Sequence, residues 1–179
     1  MLTAARTVSY SGAALAQDAA ADGEPFAADT VQKIAAELAA KEFKRPSVDA
    51  DEVFNALNAE QYRDIRFRPE QAIWQSEKLG TEVHLLPRGW IYDTPVSVRI
   101  VENGVARKLT ADSRMFAFGP KIDKAPEAAP YAFSGFQLKG PLERADYNED
   151  FVLFHGASYF RARGRGTSYG LSARGLNSR

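Results

Sequence analysis

The sequence contains no cysteine. That excludes disulfide bridges and thiolate metal sites, and it is permitted in an oxidising compartment without indicating one. No apolar run approaches the ~20 residues of a membrane-spanning helix, so the chain is expected not to cross a membrane. Neither charge is in excess, with 23 Lys and Arg against 23 Asp and Glu. Such a balance supplies no global field to attract nucleic acid or an anionic membrane, and no nucleic-acid partner is expected. Histidine is scarce: His84 and His155 are the only two, and they share no HxxxH or HxH spacing. Each reads as a packed core or edge residue rather than a ligand. No glycine-rich loop opens a helix to cradle a nucleotide, and no serine lies in a G-x-S-x-G elbow. No metal, no cofactor and no catalytic residue are therefore expected.

What is present is an ordinary globular composition, 45% hydrophobic and 26% charged over 179 residues, enough for one core of modest size. Residues 1–22 form an Ala-rich tail. Ala14-Leu15-Ala16 before Gln17 resembles a secretory cleavage site, so the tail reads either as the remnant of a signal peptide or as a flexible extension. Residues 23–179 are expected to form one mainly β unit with a helical lead-in over residues 29–65. Val31, Ile34, Ala35, Leu38 and Phe43 follow helical spacing from Asp29 to Phe43, with Asp29 or Thr30 as N-cap and Pro46 beyond the end. This helix is expected to pack one side on a sheet. A second short helix is expected within residues 46–58, and another turn over Ala59 to Ile65.

Past Gly80 the apolar period changes from helical to two. Thr81 to Leu86 reads as a strand, Val96 to Ile100 as another, and Asn103-Gly104 as a hairpin turn placing Leu109 opposite Val98. Met115 to Phe118 and Phe133 to Leu138 read as further strands, with a loop over Lys121 to Pro130. Short strands separated by turn signals predict an antiparallel β-sandwich. Trp74, at a bend after Pro69, reads as core, with a sugar-stacking platform as the sharper alternative.

The stretch from Phe151 to Leu176 organises the rest. Phe151-Val-Leu-Phe154 is apolar on both alternating sets, as expected of a strand covered on both faces. Alternating runs then flank the link Gly164 to Thr167, which suits a hairpin. Pairing Arg163 with Ser168 sets Phe160, Ala162, Tyr169, Leu171 and Ala173 on one face. Tyr159, Arg161, Arg163, Ser168, Gly170, Ser172 and Arg174 take the other. That second face forms a donor-rich shelf on which an extended polar ligand could lie. Tyr159, Arg161 and Arg174 are the candidate contacts, Gly170 lets a ring approach the sheet, and Tyr169 is expected in the core. A solvated face with scattered arginines is the plainer reading of the same pattern. Asp146, Glu149 and Asp150 form the concentration of carboxylates that glycoside cleavage could draw on, although a solvated turn is the plainer account of them.

Three blocks carry a family resemblance. GASYFRARGRGTSYGLSARGL from Gly156, Gln61-Tyr-Arg-Asp-Ile-Arg-Phe-Arg-Pro69 with Trp74, and Phe133-Ser-Gly-Phe136 followed by Asp146-Tyr-Asn-Glu-Asp150 resemble the periplasmic glucan biosynthesis proteins of G and D type. They occur in the family's order and with similar spacing. The resemblance implies a large galactose-mutarotase-like β-sandwich, incomplete here, and a periplasmic location. It also implies a part in making or trimming β-1,2-linked glucans. The implied partners are a β-glucan oligosaccharide or polysaccharide and a membrane glucosyltransferase. Some members are similar to inverting β-1,2-glucanases, but no residue here matches their paired aspartates. The chain would then be a non-catalytic scaffold portion, with half-covered strands and marginal stability or self-association as the expected result.

Overall fold

Alternation decides most of the architecture. In the computed structural model, residues 23–44, 56–122, 130–156, 159–170 and 173–174 are described. The Ala-rich tail with its Ala14-Leu15-Ala16 site, most of the expected helix within 46–58 and most of the 121–130 loop lie outside them. A short strand β1 (Glu24–Pro25) precedes helix α1 (Thr30–Ala39), and helix α2 (Ala59–Arg63) leads directly into β2 (Ile65–Phe67). Then follow β3 (Glu82–Pro87), β4 (Arg99–Glu102), β5 (Val105–Lys108), β6 (Ala111–Asp112), β7 (Phe116–Phe118) and β8 (Pro130–Tyr131). The last four are β9 (Phe133–Gly140), β10 (Glu149–His155), β11 (Tyr159–Ala162) and β12 (Ala173–Arg174). The fold is mainly β and antiparallel, with the helix ahead of it, as the sequence predicts.

The principal sheet runs β12-β11-β10-β9-β3, accompanied by a three-stranded sheet β1-β5-β4 and two ribbons, β2-β7 and β6-β8. Asn103 and Gly104 take φ values of 51° and 75°, the left-handed pair that a two-residue hairpin turn requires. Leu109 donates its N–H to the Val98 carbonyl at 2.9 Å, in the expected register. α2 begins with a capping box: the Asn58 side chain accepts from the Glu60 and Gln61 amides, and Gln61 returns a bond to the Asn58 amide.

The core gathers at the β3 end of the principal sheet. Phe116, Phe133 and Leu85 are 1–2% exposed and cluster with Leu57, Ile65, Val83 and Ala111. Trp74 packs against this cluster, the bland half of its sequence reading. One apolar row crosses the sheet in register, Leu85 to Phe136 to Phe154 to Phe160. Cover thins along it, from Leu85 at 2% exposed to Phe160 at 43%. Phe151–Phe154 are accordingly half-buried, a correction to the doubly covered strand expected. α1 also departs from expectation. Val31, Ile34 and Leu38 are 63%, 47% and 65% exposed, so its apolar stripe packs on no sheet among the described residues.

The final hairpin is shifted by two residues. Tyr159 pairs with Arg174 and Phe160 with Ala173, instead of the partners that an Arg163–Ser168 pairing would impose. The cause is local. Arg163 continues the ladder to β10, donating its N–H to the Phe151 carbonyl at 2.9 Å, while Gly164–Thr167 closes a turn of its own at 3.2 Å. A shift of two preserves the assignment of strand residues to faces, so Tyr159 and Arg161 still oppose Phe160 and Ala162.

Candidate functional site

Strand β11 places the arginine shelf. Arg161 stands in register with Leu153, and Tyr159 with His155, so all four share one face. Tyr169 is not in the core. The chain leaves regular strand geometry before it, and its ring lies beneath the Arg161 guanidinium at 4.2 Å, with Arg163 at 5.7 Å. The tyrosine hydroxyl donates to the Asp150 carboxylate at 2.7 Å and carbonyl at 2.9 Å. Burial and then the acidic hydrogen-bond partner push its pKa up to about 12, so it remains a donor at any ordinary pH. The Arg161 guanidinium is thereby held over a fixed ring, and its buried Nε has no hydrogen-bond partner.

Arg163 serves a different purpose. It bridges to Glu149 at 3.3 Å and donates through Nε to the Asp150 carbonyl at 3.2 Å. Asp146 pairs with Arg144 at 2.8 Å. The three carboxylates singled out in the sequence thus each have a partner: Arg144 for Asp146, Arg163 for Glu149 and Tyr169 for Asp150. Around Gly170 a Cβ would meet no heavy atom within 4 Å, so the backbone there is open to approach. Arg174 is the register partner of Tyr159.

At the other end of the same face lies a cluster that sequence reasoning missed. His155 is 7% exposed. Its ring stacks on Tyr92 at 3.5 Å, and Tyr62 and Trp90 close round Tyr92 at 5.6 and 5.9 Å. His155 Nε2 is 2.9 Å from Ser134 Oγ and 3.1 Å from the Tyr62 hydroxyl. Both hydroxyls donate to the Pro87 carbonyl, at 2.7 and 2.8 Å. With both hydroxyl hydrogens on that carbonyl, the tautomer that fits carries its proton on Nε2, shared between the two oxygens. Ser134 is 0% exposed, so its hydroxyl is closed to an incoming substrate in this arrangement. Burial lowers the His155 pKa to about 4 and raises that of Tyr62 to about 12. His84 makes a different contact, with Glu82 at 2.9 Å, and burial lowers its pKa against that carboxylate's pull.

Tyr62, Ser134 and His155 come from three separate stretches of chain, around residues 61–69, 133–136 and 151–176, and meet at the His155 Nε2 atom. Residues 26–178 match the family described as periplasmic glucan biosynthesis protein, MdoG. The chain belongs to this family. It is 41% identical over 148 residues to glucans biosynthesis protein G of Rhodopseudomonas palustris, covering 82% of this chain and 29% of that protein. The protein of the same name from Ralstonia nicotianae is 37% identical over 151 residues, covering 84% and 30%. That of Vibrio cholerae is 35% identical over 151 residues, covering 84% and 28%. The chain therefore spans under a third of the length of these relatives. The name these relatives carry ascribes glucan biosynthesis to those proteins. Among the described residues no helix is long and apolar enough to cross a membrane.

Proposed function

We propose that this chain supplies part of a glucan-binding surface of a periplasmic protein of glucan biosynthesis, the ligand being a linear β-1,2-linked glucan. The observation that carries the reading is the Arg161–Tyr169 contact, a guanidinium held on the face that it shares with Tyr159. Sugar hydroxyls accept from guanidinium donors, and the CH side of a sugar ring rests on flat aromatic surface. Tyr159, Arg161 and Arg174 are the proposed contacts, Gly170 leaves room beside them, and the half-buried Trp90 and Tyr92 extend the aromatic surface past His155. The geometry favours binding over hydrolysis within this stretch, since cleavage needs two opposed carboxylates and those near the shelf are each engaged elsewhere.

Titrating the chain with linear β-1,2-glucan should shift the amide signals of Tyr159–Ala162 and Ala173–Arg174. Arg161→Ala should weaken the response about ten-fold, as expected for losing one well-placed charged donor. Unmoved signals in these strands would overturn the assignment.

A further inference from the structure

A second polar surface lies where α2 passes into β2, and it is independent of the glucan reading. Arg63 closes α2 and Asp64 caps it. In β2 the alternation turns Ile65 inward and Arg66 outward. Pairing of β2 with β7 sets Ile65 opposite Phe118, which brings the turn after β7 against Asp64. There Lys121 donates its N–H to Asp64 Oδ2 at 2.9 Å, and its ammonium meets Glu60 at 2.9 Å. Glu60, Arg63, Asp64, Arg66 and Lys121 line a cavity of about 280 Å³ open to solvent.

Three cations face two carboxylates here, and both carboxylates are already engaged. Glu60 is taken by the Lys121 ammonium. Asp64 is turned into the 119–121 turn, so closely that a Cβ on Gly119 would meet its carboxylate at 2.3 Å. After Lys121, Arg63 adds to the field that lowers the Glu60 pKa, and both Arg63 and Arg66 are exposed. Two guanidinium forks and an ammonium from three different positions suit an anion with several oxygens better than a carboxylate with two.

We propose that Arg63, Arg66 and Lys121 form a binding site for a small tetrahedral oxyanion of the phosphate or sulfate class. A free ion and a phosphate-bearing lipid headgroup present the same chemistry, and two arms of one experiment separate them. At ionic strength held constant with chloride, inorganic phosphate should shift the amide signals of Arg63–Phe67 and Lys121 saturably. The second arm replaces phosphate with vesicles containing phosphatidylglycerol. A response in this arm alone assigns the site to the headgroup. Arg63→Ala with Arg66→Ala should weaken the response about ten-fold. Both side chains are exposed, so this variant should keep the parent's circular dichroism. Glu60→Gln removes one negative charge and releases Lys121, and should strengthen binding several-fold. The proposal is overturned if neither phosphate nor vesicles give a saturable shift, or if the double variant responds like the parent.

Discussion

Protonating His155 would place a positive charge on a buried ring stacked against Tyr92. The folded state holds the ring neutral down to a pKa of about 4, against 6.5 for the ordinary side chain. Between those values the unfolded chain binds the proton and the folded one does not, so stability rises with pH. This contribution is complete above about pH 6.5 and is lost as pH falls through about 4. His84, also depressed by burial, acts in the same sense. Urea midpoints measured from pH 7.5 to 4 should therefore fall on the acid side, and His155→Gln should flatten part of the slope. A midpoint that stays constant or climbs on acidification would refute this.

For an element, what matters is which of its faces find cover. α1 has the spacing of a packed helix and none of the burial, so Ile34→Ser with Leu38→Ser should alter the stability of this chain by only about 0.5 kcal/mol. A loss of several kcal/mol in denaturant titration would show the stripe to be buried in solution. The contrast with β4 and β5 shows what was legible in the sequence. Asn103 and Gly104 dictate their turn through backbone sterics alone, and the register of Val98 and Leu109 follows within a few residues. α1, the half-covered Phe151–Phe154 and the position of Tyr169 all depend on contacts from distant chain. Tyr169 in particular was misplaced because alternation was carried through Thr167–Gly170, where the strand had already ended. The face assignment of Tyr159 and Arg161 survived because the true register differs by an even number.

For the whole molecule, the uncovered end of the apolar row governs behaviour. Phe160 at 43% exposure, beside β12 at the sheet edge, presents oily surface and unpaired backbone together. The isolated chain should self-associate through that region, with light scattering rising and the melting transition shifting as concentration increases. A sharp melt of a monomer, unchanged over a hundred-fold dilution, would exclude this. The site is legible at this scale only in part. Tyr62 and Ser134 were visible as members of characteristic blocks, and His155 as a residue inside another, yet nothing in their order showed that the two hydroxyls meet at the histidine ring. The bulge in β10 between Asp150 and Val152 has its own bearing on how the shelf can vary. A strand assigns its sides by counting, and at Phe151 the count is reset, with Asp150 and Leu153 both opposite residues of β9's arginine-side row, Lys139 and Gln137. Length drift of one position is absorbed at that point, whereas one residue gained or lost between Leu153 and Arg161 would turn the basic side inside out.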